Sequence, residues 1–276
     1  MLVRMNRAML AQVTGPAEFA AAFDVSRETI DRLATYERLL RQWQAAVNLV
    51  APSTLDAVWH RHFADSAQLL ALAPSARTWV DLGAGAGFPG LVIAILLADA
   101  AGGGEVQQYG VRPYGPPLTG YNVADAGSDP IAVSTPHLPI PEETWGERTR
   151  ARITLIDSNA RKCAFLREVV RQTGIGKPAQ PGVVVDILST RIETAATQAS
   201  LQGPDVVSAR ALAPLDKLLG LAAPLFAPST VGLFLKGRDA AMELDAARNA
   251  WTFTSELVQS CTQHEACIVV VRDLEP

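Results

Sequence analysis

The segment Trp79-Val80-Asp81-Leu82-Gly83-Ala84-Gly85-Ala86-Gly87-Phe88-Pro89-Gly90, followed by the apolar run Leu91 to Leu97, constrains this chain more than any other. An apolar strand leads into an acid, then into a glycine-rich loop, then into a proline where a helix should take its first turn. Glycines let backbone N–H groups approach a ligand without interference from Cβ. A helix opening near Pro89 aims the positive end of its dipole at whatever sits there. The unit is strand, ligand loop, helix, which belongs in a parallel sheet.

The rest of the chain repeats that alternation. Apolar, β-branched runs near 77–82, 151–156, 182–187, 204–208 and 230–236 predict strands, separated by helical patterns near 89–100, 159–173, 190–201, 214–226 and 238–249. Two further runs, near 252–259 and 265–272, follow without a helix between them and predict a terminal antiparallel pair. The expected fold is α/β and Rossmann-like: a seven-stranded, mostly parallel sheet with helices on both faces. Residues 102–150 break the rhythm with eight glycines, seven prolines and little periodicity. This is an insertion, read either as a loosely ordered surface excursion or as a lid or partner contact anchored by Tyr109, Tyr114, Tyr121 and Trp145. Its acids outnumber Arg112, Arg148 and Arg150, which disfavours an RNA clamp.

Before the first strand, residues 1–75 form an expected helical extension to the sheet domain at 76–276. Residues 1–25 show no strong period and are expected to be partly mobile. From Ser26, a plausible N-cap, Ile30, Leu33, Tyr36, Leu40, Trp43 and Val47 recur every three or four positions as the apolar stripe of an amphipathic helix. Arg27, Arg32, Arg38 and Arg41 mark its wetter side. A second helical segment at 54–72 carries His60, Arg61, His62, Asp65 and Ser66.

Charge and cysteine usage narrow the function classes. A net charge of -4 over 276 residues excludes a surface coated in basic charge, so any nucleic-acid contact must come from a local patch. Three cysteines without framework spacing suit a reducing cytoplasm. No apolar run is long enough for a membrane span, and the first residues lack a signal-type apolar region.

Gly85, Gly87 and Gly90 satisfy G-x-G-x-x-G, a pattern that alone also admits a dinucleotide. A dinucleotide site places its acid about 20 residues beyond the loop; here the next strand-end acid is Asp157, displaced by the insertion. Asp81 would repel a pyrophosphate but attract an ammonium. S-adenosylmethionine carries an ammonium and a carboxylate at one end, which suits an acid beside a helix N-terminus. Asp157, at the end of the second strand, can accept both ribose hydroxyl protons or serve the next helix start together with Ser158 or Asn159. Arg191, Ile192 and Glu193 follow the third strand, where the adenine side of such a site would lie. Cofactor-binding candidates are therefore Asp81, Gly83, Ala84, Gly85, Gly87, Phe88, Asp157, Ser158, Arg191, Ile192 and Glu193.

Other groups weigh less. Cys261, His264 and Cys267 are spaced by three but lack a fourth ligand, so no metal site is assigned. His60 and His62 are read either as acid–base groups or as histidines packed against the first strand. Arg210, at the ligand edge of the fourth strand, is either a salt-bridge partner or a substrate or donor contact.

Together, Trp43 with Asn48-Leu49, His62-Phe63-Ala64-Asp65-Ser66, the loop from Asp81 to Gly90, Asp157-Ser158 with Arg161-Lys162, Ser208-Ala209-Arg210-Ala211 and Leu235-Lys236-Gly237 resemble the bacterial small-subunit ribosomal RNA methyltransferase G family, also called glucose-inhibited division protein B. The resemblance covers residues 30–240 without the insertion. It implies transfer of a methyl group from S-adenosylmethionine to guanine N7 in a conserved loop of 16S rRNA. It makes Asp81, Gly83, Gly85 and Gly87 donor-site residues, Asp157 the ribose-side acid, and Arg210 a residue at the mouth of the donor pocket. Two departures stand out: Gln44 replaces a frequent asparagine, and the insertion is foreign to the pattern.

N7 carries an unprotonated lone pair, so the enzyme needs alignment and proximity rather than a base, and no catalytic acid or base is assigned. The expected partner is 16S rRNA or the small subunit, met by a monomer through Arg38, Arg41, Arg61, Arg161, Lys162, Lys236 and Arg238, with Arg210 near the pocket. The alternatives are a methyltransferase of the same fold acting on a protein or small molecule, and a non-catalytic cofactor-binding module.

Overall fold

The computed structural model describes residues 13–100, 150–176, 182–194, 201 and 203–275. Seven strands form one sheet in the order β3-β2-β1-β4-β5-β7-β6. They are β1 (Thr78–Leu82), β2 (Ala151–Asp157), β3 (Val183–Ser189), β4 (Val206–Arg210), β5 (Val231–Lys236), β6 (Thr252–Gln259) and β7 (Cys267–Glu275). All neighbouring pairs from β3 to β5 are parallel, and β7 runs antiparallel to both β5 and β6. The terminal antiparallel pair expected from the sequence is present.

β1 has β2 on one side and β4 on the other, so the direction of winding reverses there. In open α/β sheets the crevice beyond the carboxyl ends of the strands at such a switch point is where ligands bind. The glycine loop leaves β1 at that place and enters α4 (Gly90–Ala100).

Strand residues alternate between two cores. Trp79, Ile153, Leu155 and Val183 join one face, where α4 and α5 (Ala160–Thr173) pack. Val80, Leu82, Ile156, Val207 and Ala209 join the other with α6 (Leu215–Ala222) and α7 (Ala240–Ala247).

The N-terminal extension belongs to the first of these cores. α1 (Pro16–Phe23) and α2 (Arg27–Gln44) bury Phe19, Phe23, Leu33, Tyr36, Leu39 and Leu40 in the same cluster as Trp79 and Ile153. Within the stretch 1–25, expected to be partly mobile, Pro16–Phe23 forms α1, and residues 1–12 lie outside the described residues. Phe19 and Phe23, one turn apart, meet at a tilt of 33° with centroids 4.5 Å apart, and Phe19 meets Trp59 edge-on at 5.7 Å. Two apolar anchors on eight residues are too few to show a period, but they suffice for docking. Ser26 caps α2 by accepting a hydrogen bond from the Thr29 N–H at 3.2 Å.

The segment expected as one helix at 54–72 is composite. A 3-10 turn at Pro52–Thr54 precedes α3, which winds as a π-helix over Trp59–Ala64, an α-turn over Asp65–Ala67 and a 3-10 helix over Gln68–Leu72. The Ser66 hydroxyl donates to the His62 carbonyl at 2.7 Å inside the irregular stretch. The residues expected as a helix at 190–201 form a turn as far as 194, and 195–200 lie outside the described residues. So do the insertion at 102–149 and its candidate anchors Tyr109, Tyr114, Tyr121 and Trp145. No helix among the described residues is long and apolar enough to cross a membrane.

Candidate functional site

At the carboxyl edge of the sheet the glycine loop is tied down from several sides. Ala84 N–H donates to the Ile156 carbonyl at 2.9 Å, Gly87 N–H to the Ala84 carbonyl at 2.6 Å, and Gly85 N–H to Asp157 Oδ2 at 2.9 Å. Gly83, Gly85 and Gly87 all have positive φ, at 65°, 55° and 94°. What differs is the space around them. A Cβ on Gly83 would come within 2.5 Å of Leu212, and one on Gly87 within 2.5 Å of Tyr36 Oη; on Gly90 it would strike Leu155. On Gly85 it would meet only the Gly83 carbonyl, at 3.7 Å. Neighbouring side chains therefore fill the Cβ positions of three of the four glycines, and the open side of the loop is at Gly85.

Asp81 lies fully buried. Its Oδ2 accepts from the Gly90 N–H at 3.0 Å and its Oδ1 from the Ser208 hydroxyl at 2.9 Å. Burial pushes its carboxyl from 3.8 up to about 7, against the lowering effect of these two bonds and of Arg210, with Asp157 adding to the rise. The carboxyl thus joins β1, β4 and the first residue of α4 from a fully buried position.

Asp157 is half-buried at the end of β2. Besides Gly85, it accepts from the Asn159 N–H through Oδ1 at 2.7 Å. Asn159, not Ser158, caps α5, accepting from the Arg161 and Lys162 N–H groups at 3.0 and 3.2 Å. Ser158, Arg191 and Glu193 are exposed in the loops after β2 and β3, while Ile192 packs into the second core. Register places these loops at one edge, since Leu82 pairs with Ile156 and Ala209, and Asp157 with Ser189.

Ala84 and Phe88 are buried rather than presented to the crevice. The Phe88 ring lies between Tyr36 and His62, near-parallel to both at 5.3 and 4.7 Å, and the Arg210 guanidinium sits 5.5 Å from its centroid. Arg210, the last residue of β4, donates to His62 Nδ1, to the Arg61 carbonyl at 3.1 Å and to Asp65 Oδ2 at 3.4 Å. An arginine can only donate, so His62 carries its proton on Nε2, which reaches Thr54 Oγ1 at 2.8 Å. Burial first, then the charges of Arg210 and Arg61, hold His62 down at about 3. It stays neutral as a fixed acceptor, which removes it as an acid–base group. His60 Nε2 donates to the Thr262 carbonyl at 2.7 Å.

Asp65 extends this cluster to the β6–β7 turn. Its Oδ1 accepts from Gln68 Nε2 at 2.9 Å, from Ser260 Oγ at 3.3 Å and from Thr262 Oγ1 at 2.6 Å. From the sequence Tyr36 appears only as part of an apolar stripe and Ser208 and Asp65 only within family motifs, and none of them is assigned these contacts. Tyr36 offered a signal, since a buried tyrosine among leucines needs a partner for its hydroxyl.

The basic candidates separate in the structure. Lys236 is corrected: its ammonium is buried, donating to the Ala213 carbonyl at 2.6 Å and to Glu243 at 2.7 Å. It joins β5 to α7 and offers nothing to a phosphate. Arg41 pairs with Glu37 and Asp56 at 2.9 and 3.3 Å. Arg38 bonds to Gln42 and Gln172, and Arg61, Arg161 and Arg238 are exposed, with Lys162 half-buried. Gln44, the departure noted above, accepts from the Leu49 and Val50 N–H groups at 3.1 Å each and donates to the Val50 carbonyl at 2.7 Å, closing the turn after α2. Among the described residues no group of three or more His, Cys, Asp or Glu could hold a metal ion.

Comparison with known proteins fits this edge into a family. The family model described as "GidB: rRNA small subunit methyltransferase G" matches residues 29–101 and 146–269. The gap between the two matched stretches falls on the glycine- and proline-rich interval. A protein of Parvibaculum lavamentivorans named ribosomal RNA small subunit methyltransferase G is 42% identical over 95% of this chain and 91% of its own. Proteins of the same name from Rhodospirillum centenum and Methylorubrum populi are 43% and 42% identical, covering 94% and 91% of this chain and 91% and 92% of their own. With most of its length matched on both counts, the chain belongs to the rRNA small subunit methyltransferase G family.

Proposed function

We propose that this protein transfers a methyl group from S-adenosylmethionine to guanine N7 in 16S rRNA, as a cytoplasmic enzyme meeting the small subunit or its RNA. The observation that carries the reading is the division of labour in the glycine loop. Three glycines are packed from within, and Gly85 alone opens outward, beside the Asp157 carboxylate. That is a cradle a side chain would fill, flanked by an acid with lone pairs left for two hydroxyls.

The residues present suit the donor. Asp157 would receive the ribose hydroxyls, the backbone of Gly83, Gly85 and Gly87 would admit the chain of the amino acid, and Asp81 would supply negative charge beneath its ammonium. Ser158, Arg191 and Glu193 border the adenine side, with Ile192 supporting them from the core. When bound, the donor supplies an electrophilic methyl on a sulfonium. The protein then has to bring N7 into line with that methyl, and it has no proton to remove first. Arg210, held against Phe88 by His62, Asp65 and the Arg61 carbonyl, would border the side from which the base enters. Arg38, Arg61, Arg161, Lys162 and Arg238 remain as the phosphate-facing set, with Arg41 already committed to its acids.

Differential stabilisation tests the reading. S-adenosylmethionine should raise the melting temperature where NAD does not, and the protein should move labelled methyl from the donor into small-subunit rRNA. Stabilisation by NAD alone, or a donor that binds without any transfer to RNA, would remove it in favour of a dinucleotide site or a non-catalytic module.

A further inference from the structure

We propose that Tyr36, in the N-terminal extension, is a positioning residue of the donor site, holding the glycine loop in its binding shape through the Ala86 carbonyl. The inference rests on the reading of that loop as the donor cradle. Tyr36 is fully buried on α2, far from the loop in sequence. Its hydroxyl donates to the carbonyl of Ala86, the residue between Gly85 and Gly87. Burial raises the phenol well above its usual 10, so it remains a donor at any working pH.

The two elements are shaped to each other. Tyr36 Oη occupies the space a Gly87 side chain would need, and its ring stacks at 5.3 Å on Phe88, the next loop residue. Phe63 and Phe165 hold the ring from other directions at 5.3 and 6.1 Å. An apolar residue would satisfy that packing equally well. The hydroxyl is what packing does not need, and it is spent on the one stretch of backbone that flanks the open position at Gly85.

The test is Tyr36→Phe, which keeps the ring and removes the bond. Binding of S-adenosylhomocysteine should weaken about fivefold to tenfold, the cost of one lost buried hydrogen bond. In turnover the donor KM should rise by a similar factor, with kcat at saturating donor and the RNA KM unchanged. Loop amides from Gly83 to Phe88 should exchange faster with deuterium. Thr230→Val is the control: it removes a buried hydroxyl bonded at 2.7 Å to the Pro204 carbonyl at the opposite end of the sheet, and should lower the melting temperature without moving donor affinity. If wild-type protein fails to bind S-adenosylhomocysteine, the donor-site reading itself fails. If wild-type binds and Tyr36→Phe binds equally well, or Thr230→Val weakens binding as much, or Tyr36→Phe no longer melts cooperatively, Tyr36 is a core residue only and the proposal is overturned.

Discussion

The two ends of the sheet use a carboxylate for the same task and arrive at opposite electrostatics. At the amino end Asp205 Oδ2 accepts from the Arg77 and Thr78 N–H groups at 2.7 and 2.8 Å and from the Thr78 hydroxyl at 2.9 Å. Partial burial raises its carboxyl, but these bonds outweigh that and leave it lowered. At the carboxyl end Asp81 receives two donors, is fully buried and is raised to about 7. The first carboxylate is comfortable as an anion and serves the fold. The second is costly as an anion, the pattern found where a charge is kept for binding or chemistry rather than for stability.

That contrast yields an ordered set of tests. The largest effect belongs to Asp205→Ala, which strips three hydrogen bonds from the start of β1. It should cost about 3 kcal/mol in denaturant unfolding and leave donor affinity unchanged. Loss of donor affinity in this variant would erase the distinction between the two ends.

Next is Asp81→Asn. The Ser208 hydroxyl can rotate to accept where it now donates, so the packing survives and the charge is lost. Above about pH 7, where Asp81 is ionised, donor affinity should fall roughly tenfold to hundredfold by calorimetry, in line with a hydrogen bond to a charged group. The same variant has a pH signature. The folded protein holds a proton on Asp81 that the unfolded chain releases, so this contribution is complete below pH 3.8, shrinks as pH rises and is gone above about 7. Between pH 5 and 8 the stability of Asp81→Asn relative to wild type should therefore improve, on the order of 2 kcal/mol. For Asp205→Ala the sign reverses: the lowered carboxyl stabilises above its ordinary range, so the variant's deficit should shrink as pH falls through the folded value.

The smallest effect separates the basic residues. Arg161→Ala should weaken rRNA binding a fewfold and reduce the slope of log affinity against log salt by about one. Lys236→Met should leave that slope unchanged while lowering the melting temperature, because the Lys236 ammonium is paired with Glu243 inside the protein.

The strands, the glycine loop and the terminal pair were legible because each rests on local pattern: apolar runs of strand length, glycine spacing and the absence of a helix between two β-branched runs. α1 was not, because its burial depends on Phe19 meeting Trp59 across the fold rather than on a period of its own. Asp81 was legible as an acid before the loop but not as a buried one. Its depth is set by α4 closing over it at Gly90 and by Ser208 from β4, residues 9 and 127 positions away. Lys236 reads as a surface cation because nothing local announces Glu243 seven residues on as its partner inside the fold. Tyr36 and the relay from Arg210 through Asp65 to Thr262 are non-local in the same sense. Patterns along the chain point to the candidate site, and long-range packing decides which side chains remain available within it.

The central claim is that the open position at Gly85 seats the donor for methylation of guanine N7. The most direct measurement is chemical cleavage of 16S rRNA at N7-methylguanine after incubation with the protein, using RNA and small subunits from cells lacking the modification. A single new cleavage that requires S-adenosylmethionine and is lost with Asp81→Asn at limiting donor is the expected result. Transfer of label without cleavage at any guanine, or no transfer to either substrate, would contradict it.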